Sequence, residues 1–212
     1  VGDIASFVTT NTTNATISGT ITATPVYTNA GLGCTGAATS FTIAVNPIPT
    51  VNAVANQTIC VGGSTTLVTP TGFVPGTVYN WTSSNTAIGL AASGTGNIPS
   101  FVTTNTGNTP ISSTITITPT YTNGGVSCSG APLTFTITVN PIPNVNSINN
   151  QVICNGSTTT GVTFTGSVAG TVYNWSNTNA AIGLGTSGVG DIASFVTTNT
   201  TNATISGTIT AT

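Results

Sequence analysis

Four cysteines are the side chains of this sequence best suited to chemistry: Cys34, Cys60, Cys128 and Cys154. Their successive spacings are 26, 68 and 26 residues, so the second pair repeats the first after 94 residues. Structural zinc sites use closely spaced cysteine pairs, often with histidine, and this sequence has no such pair and no histidine. The pattern therefore favours disulfide bonds, which form when a chain is exported to an oxidising compartment.

Other reactive groups are almost absent. The 212 residues include no lysine, arginine, histidine or methionine, and Asp3 and Asp191 are the only acids, which gives a formal net charge of −2. A chain without basic groups cannot neutralise phosphates, which excludes nucleic-acid binding. A chain without a general base or a carboxylate cluster is expected to have no enzyme activity, no cofactor and no metal. Asp3 and Asp191 share one position of the repeat, where Asn97 stands in the middle copy, and are predicted to be turn residues.

An internal repeat of 94 residues organises the chain. The segment Asn46-Pro47-Ile48-Pro49 returns at 140–143, and Tyr79-Asn80-Trp81 returns at 173–175. Residues 1–24 are identical to 189–212 but match 95–118 at only 16 of 24 positions. Alternate repeats are thus more alike than neighbours, which indicates duplication of a two-repeat unit within a long array.

The repeat sets the predicted domain boundaries. With Ile48 as the start of a unit, residues 1–47 are the C-terminal part of one repeat, 48–141 are a complete repeat, and 142–212 are the N-terminal part of the next. Proline fixes φ and favours extended backbone, so the Pro-x-Pro segment at each boundary predicts a short, stiff linker.

Apolar residues alternate with threonine, which predicts β-strands. Glycine-rich turn signals separate the candidates, and no segment shows helical periodicity. Seven or so short strands in 94 residues, with a tryptophan on the third, are typical of an immunoglobulin-like sandwich. The predicted fold is all-β, with tandem immunoglobulin-like β-sandwich repeats and almost no helix. The candidate strands of the complete repeat are 50–54 with 57–59, 64–69, 78–82, 88–92, 100–104, 113–121 and 133–139.

Six aromatic side chains are predicted to belong to the core. Exposed tryptophans could instead stack on sugars, but the strand positions and tyrosine neighbours of these tryptophans favour packing. The predicted core aromatics are Tyr79, Trp81, Tyr121, Phe135, Tyr173 and Trp175.

The cysteine pairing has two alternatives. Cys60 precedes the second strand and Cys128 follows a late hairpin turn, and these turns lie at opposite poles of an immunoglobulin-like sandwich. A disulfide needs Cα atoms within about 7 Å, whereas the poles are about 25–30 Å apart. Cys60 would then pair with the hairpin cysteine of the following repeat. A shortened first strand would instead allow a bridge from Cys60 to Cys128 within one repeat.

The sequence resembles the tandem immunoglobulin-like and PKD-like repeats of giant Bacteroidota cell-surface adhesins. The matching pieces are Ile59-Cys60-Val61-Gly62-Gly63, then Tyr79-Asn80-Trp81, then Cys128-Ser129-Gly130 ahead of 134–141. The resemblance covers every unit and implies an exported, surface-anchored, thread-like adhesin. Known members include gliding-motility adhesins that leave the cell by type IX secretion. Many PKD-like domains carry a Trp-Asp-Phe-Gly-Asp motif, but here Thr82 follows Trp81, so calcium or acid chemistry linked to that motif does not transfer.

These observations lead to a functional expectation. We expect a structural segment of a long extracellular filament or stalk-like adhesin at the cell surface, which provides length and attachment. The alternative is a carbohydrate-binding repeat array. The expected partners are neighbouring repeats of the same chain, lateral copies of the filament, and surfaces or glycans. No apolar run approaches the length of a membrane span.

Overall fold

The computed structural model describes residues 3–212, and they form two compact units. The first unit holds the described residues up to Thr103 together with Ser112–Thr138. The second holds Thr104–Ile111 and Val139–Thr212. In the described part of the chain, regular structure consists of strands and two single turns of 3-10 helix, so the protein is all-β.

The first partial repeat contributes four strands to the first unit. Two antiparallel pairs account for them, β1 with β4 and β2 with β3. In the first pair Ile17 lies opposite Val45, and in the second Tyr27 lies opposite Cys34. The strands are β1 (Ile17–Ala23), β2 (Val26–Asn29), β3 (Leu32–Thr35) and β4 (Thr39–Val45).

The complete repeat is built on one six-stranded sheet. Its strand order is β5-β10-β8-β6-β7, and β9 pairs with the far end of β8 to make a hairpin. The strands are β5 (Gln57–Cys60), β6 (Val78–Ser83), β7 (Ser93–Thr95), β8 (Ile111–Asn123), β9 (Val126–Ser129) and β10 (Leu133–Asn140).

The third repeat lies in the second unit and reproduces part of this sheet. Strand β11 lies between β12 and β13, and Trp175 pairs with Gly188 on one side and Ala211 on the other. The strands are β11 (Asn174–Asn177), β12 (Ser187–Val189) and β13 (Ile209–Ala211).

Alternation along the long strands produces the core. Ile115 and Ile117 of β8 and Ile137 of β10 are at most 1% exposed, while the intervening threonines face outward. A second layer covers this face, in which Val68 and Ile98 exchange two backbone hydrogen bonds of 3.0 Å. Burial of such side chains stabilises a fold by about 1.5–3 kcal/mol each. Two layers with an apolar interior make the complete repeat a β-sandwich, as predicted, and the third repeat has a smaller core cluster of Phe164, Tyr173 and Ile192.

The second layer is less regular than the alternation predicts. Segments 64–69 and 98–104 form no regular strand pair: isolated bridges join Ser64 to Val102 and Val68 to Ile98, and a backbone bond joins Thr65 N to Phe101 O. Between those bridges the hydroxyl of Thr65 accepts the backbone N–H of Phe101 at 3.0 Å. A side chain that takes the place of a backbone acceptor interrupts the ladder. The predicted continuous strands are therefore corrected to bridged, extended segments.

Two further strand predictions are wrong. Segment 88–92 was expected to be a strand, but a 3-10 turn occupies Thr86–Ile88 and β7 begins at Ser93. The side chain of Asn85 caps the turn, and Gly89 ends it with a left-handed φ of 101°. Segment 50–54 is extended and is joined to its neighbour by the backbone bond from Asn52 N to Thr71 O, without regular strand pairing.

Candidate functional site

The two tryptophans lie against glycines inside the sandwich. Trp81 is 4% exposed and pairs across strands with Gly94, and Trp175 pairs in the same way with Gly188. A Cβ on either glycine would come within 3.0 Å of the indole ring. Both indole N–H groups are buried without a hydrogen-bond partner among the described residues. The Trp81 ring is therefore a packing element that presents no face to a sugar, and the Trp175 ring is half-buried against the core cluster of the third repeat.

The other predicted core aromatics divide into two groups. Phe135 and Tyr173 are buried, and the Tyr173 ring lies 5.7 Å from that of Phe164. Tyr79 is half-buried, and burial raises the pKa of its phenol above 10.0, with a smaller opposing effect from a hydrogen bond to Thr77. Tyr121 is also half-buried, and it lies on the hairpin of β8 and β9.

The hairpin of β8 and β9 contacts the preceding repeat. Its tip turns through Gly124 and Gly125, whose φ values of 59° and 78° glycine adopts without steric cost. The Asn123 side chain donates to Thr16 Oγ1 at 3.0 Å and to Asn46 Oδ1 at 3.1 Å. Asn46 lies in the linker, and Thr16 directly precedes β1. The hairpin therefore joins one repeat to the linker and body of the repeat before it.

Four further contacts complete this interface, which we call the junction (Thr16, Asn46, Tyr121, Asn123 and Val126). The Asn46 amide donates to the carbonyl oxygens of Asn123 at 3.1 Å and of Val126 at 3.3 Å. Thr16 Oγ1 donates to Asn46 Oδ1 at 2.9 Å and lies 3.4 Å from the Tyr121 hydroxyl. Neutral hydrogen bonds of this kind each contribute about 0.5–1.5 kcal/mol.

The linker itself is held in place at the junction. Pro47 and Pro49 are less than 2% exposed, whereas Ile48 between them is 66% exposed. Gly130, just after β9, lies so close to Pro49 that a Cβ there would collide with the Pro49 carbonyl. The Pro-x-Pro segment is thus packed into the complete repeat, which restricts the angle at which the chain enters it.

The same hairpin one repeat earlier is uncovered. Strands β2 and β3 reproduce the geometry of β8 and β9, with Ala30 and Gly31 at the tip. Tyr27, the counterpart of Tyr121, is 70% exposed, and Leu32 is 72% exposed. The one sequence signal for this surface is the Tyr-Thr-Asn triplet, which occurs at 27–29 and again at 121–123.

The four cysteines are thiols, with no disulfide among the described residues. Cys34, Cys60 and Cys154 are exposed, and Cys128 is half-buried. Cys34 and Cys128 lie on hairpins, opposite Tyr27 and Tyr121 respectively. Cys60 ends β5, at the other pole of the complete repeat. The structure therefore disfavours a bridge from Cys60 to Cys128 within one repeat, because residues 50–60 lead away from Pro49, whose carbonyl packs against Gly130 near Cys128, to Cys60, whose carbonyl accepts a hydrogen bond from Thr103.

Other candidate sites are weak. Similar open grooves recur in two repeats, one along 53–59 and 64–69 and the other along 147–151 and 160–163. Neither groove has an aromatic lining, and Gln57 and Gln151 use their amides to hold Thr66 and Thr160. Asp191 accepts the backbone N–H of Phe164 at 3.0 Å, a contact between two segments 27 residues apart. No group of three metal-binding side chains occurs in residues 3–212.

Comparison with known proteins gives no family assignment. No protein-family model matches the chain, and no curated protein matches it. Within the described range, no helix is long and apolar enough to cross a bilayer. The features of this chain that bear on its function are therefore the junction and the 94-residue repeat.

Proposed function

We propose that this chain is a segment of a long extracellular filament or stalk-like adhesin at the cell surface, without catalytic activity. The observation that carries the proposal is the junction, in which the hairpin of one repeat is hydrogen-bonded to the linker and body of the repeat before it. A tandem array that repeats such a contact grows in length with each unit, because each unit contacts its neighbours.

The chemistry of the junction suits a permanent structural contact. It uses amides, hydroxyls and backbone carbonyls without charged groups, so changes of salt or pH have little to act on. The buried prolines of the linker remove backbone freedom that a flexible tether would keep. A stalk needs this combination, since bending at every linker would shorten its reach.

The adhesive part of the proposal rests on composition and resemblance. A long neutral thread with threonine-rich faces can contact surfaces, glycans or lateral copies of itself through many weak hydrogen bonds. Export by a type IX system and a part in gliding motility are proposed from the resemblance to Bacteroidota adhesins. A carbohydrate-binding array is the alternative, but Trp81 is buried, Trp175 is half-buried against a core cluster, and the two grooves described above have no aromatic lining, so these features give it no particular support.

Small-angle scattering on arrays of two, four and eight repeats tests the filament proposal. A sandwich repeat of this strand length should advance about 35–45 Å along the axis. We expect the longest dimension to increase by that amount per repeat while the cross-section stays constant. The matched control replaces Pro47 and Pro49, with their counterparts in each linker, by glycine, and should give shorter average dimensions. A wild-type array that scatters as a flexible chain or as a compact particle would refute the proposal.

A further inference from the structure

The two cysteines of one repeat lie at opposite poles. From Gly62, just after Cys60, the second layer runs nine residues to Thr71, which is about 30 Å of extended chain. At that far end Thr71 pairs with Asn52 through a backbone bond of 2.8 Å. The neighbouring Pro49 carbonyl packs against Gly130, two residues after Cys128. Disulfide geometry is therefore impossible between Cys60 and Cys128.

The hairpin cysteine lies beside the junction. Cys128 is the direct cross-strand partner of Tyr121, so both side chains leave the same face of the hairpin. The hydroxyl of Tyr121 lies 3.4 Å from Thr16 of the preceding repeat. The thiol of Cys128 therefore faces the pole at which the preceding repeat ends.

The cysteine at the Cys60 position lies at the end of a repeat that contacts the hairpin of the following repeat. The contacts of Cys154 in the third repeat show this location. The carbonyl of Cys154, the counterpart of Cys60, accepts from Thr197 Oγ1 at 2.8 Å. The next residue, Asn155, accepts the N–H of Asn199 at 2.9 Å, and Asn199 in turn donates to Ala203 O at 2.8 Å.

Ala203 is followed by Thr204, which occupies the repeat position of Thr16. Asn11 makes the equivalent bond to Ala15 O in the first repeat, also at 2.8 Å. Two hydrogen bonds, Asn155 with Asn199 and Asn199 with Ala203, therefore connect the neighbour of Cys154 to the neighbour of Thr204. Thr204 occupies the repeat position that contacts the hairpin of the next repeat.

We propose that each junction is closed by a disulfide between the pole cysteine of one repeat, represented by Cys60 and Cys154, and the hairpin cysteine of the following repeat, represented by Cys34 and Cys128. This proposal rests on the proposed extracellular tandem array. The two thiols give up two protons and two electrons to a disulfide oxidant, either an oxidoreductase or an oxidised small thiol. Thiol–disulfide exchange reduces that oxidant to two thiols as the S–S bond between repeats forms.

Because two types of repeat alternate along the chain, mass spectrometry can identify which cysteines are joined by disulfides. Cys60 and Cys128 belong to one type of repeat, whereas Cys34 and Cys154 belong to the other. Bridges within a repeat would link a Cys60 peptide to a Cys128 peptide. Bridges between neighbours would link a Cys60-type peptide to a Cys34-type peptide, and a Cys154-type peptide to a Cys128-type peptide. The flanking residues differ, so the masses of the cross-linked peptides differ.

The experiment is chymotryptic digestion of the surface-isolated array, alkylated without reduction. We expect the mixed-type pairs to account for nearly all cysteine. A matched Cys60→Ser array should lose the pair with the Cys34 type and keep the pair between the Cys154 and Cys128 types. Same-type pairs, or alkylated free thiols throughout, would overturn the inference.

The 212-residue chain gives an independent readout. Under this pairing none of its four cysteines has its partner within the chain, so treatment with oxidised glutathione should leave no intramolecular bridge. An intramolecular bridge from Cys60 to Cys128 would overturn the pairing. Neither measurement depends on the length seen by scattering, so failure of the disulfide and failure of the filament are distinguishable.

Discussion

Asn123 and Thr16 are 107 residues apart in the sequence, yet the amide of Asn123 donates a 3.0 Å hydrogen bond to the Thr16 hydroxyl. The same amide also reaches Asn46 in the linker. One side chain at a hairpin tip therefore couples the body of a repeat, its linker and its neighbour. The complete repeat and the repeat before it are therefore not independent of each other at the linker.

Removal of the Asn123 amide should weaken this coupling. We expect Asn123→Ala to lower the free energy of unfolding of the chain by about 1–3 kcal/mol, since two hydrogen bonds are lost and their partners at the junction are left unpaired. Urea unfolding followed by tryptophan fluorescence measures the change. The matched control is Asn29→Ala at the equivalent exposed hairpin position, which should cost no more than about 0.5 kcal/mol. Equal losses for the two variants would contradict the junction.

The cross-strand pair of Trp81 and Gly94 should tolerate no side chain at the glycine. We expect Gly94→Ala to destabilise the chain by about 1–3 kcal/mol, because the new methyl group would overlap the indole and force a shift in the core. Thermal unfolding measures the loss. Gly19→Ala is the control, since its Cβ would meet open space, and it should be neutral or slightly stabilising. A neutral Gly94→Ala variant would show that the ring does not pack on the glycine.

Stability should respond to pH only at the alkaline end. The chain has two acids and no histidine, so folded and unfolded states bind nearly equal numbers of protons from about pH 5 to about pH 8. Burial raises the folded-state pKa of Tyr79 above its ordinary value of 10.0. The neutral phenol is therefore favoured in the fold, and its contribution is complete below pH 10.0 and is lost as the pH rises through the folded pKa.

Midpoints of thermal unfolding measured from about pH 5 to above about pH 10 test the direction of this pH effect on stability. We expect a flat profile up to about pH 8 and a decline above about pH 10, with a shallower decline for Tyr79→Phe. The profile should also change little between low and high salt, because surface ion pairs cannot form without basic side chains. A steep transition between pH 7 and 5 would be inconsistent with this composition.

Trypsin should leave the segment intact even after denaturation and reduction, because the sequence contains no lysine or arginine. Electrophoresis before and after digestion measures this. Chymotrypsin, which cleaves beside aromatic residues such as Phe135 and Tyr173, is the positive control under the same conditions. Tryptic fragments from within the 212 residues would show that the chain carries residues other than those of the sequence.

Alternation was enough to predict the main sheet. Threonine and isoleucine alternate through β8 and β10, and the faces that the pattern assigned to Ile115 and Ile117 are the buried ones. The same pattern assigned Tyr121 to the core, and its side chain is half-buried where β8 continues into the hairpin. The alternation of apolar and polar residues shows which face of a strand is buried. It does not show at which residue the second layer of the sandwich stops covering that face.

The junction could not be predicted in the same way. Its partners Asn46 and Asn123 are 77 residues apart, and their meeting depends on where the complete repeat carries its hairpin relative to its linker. The opposite poles of the cysteines were anticipated as one of two alternatives, because strand length sets the distance between sandwich ends. Only the path of residues 50–60 along the repeat decides between them.

The location of the two cysteines at opposite ends of a repeat has a mechanical consequence. With neighbouring repeats bridged, the shortest covalent path along the array crosses a disulfide and then follows only the 26 residues from Cys128 to Cys154. Fully stretched, that segment spans about 85–95 Å, close to the about 70–90 Å that two folded repeats should occupy. An unbridged repeat pulled straight would reach about 310–340 Å. The oxidised thread would thus behave under load as a nearly inextensible cable, whose length persists even when individual sandwiches unfold.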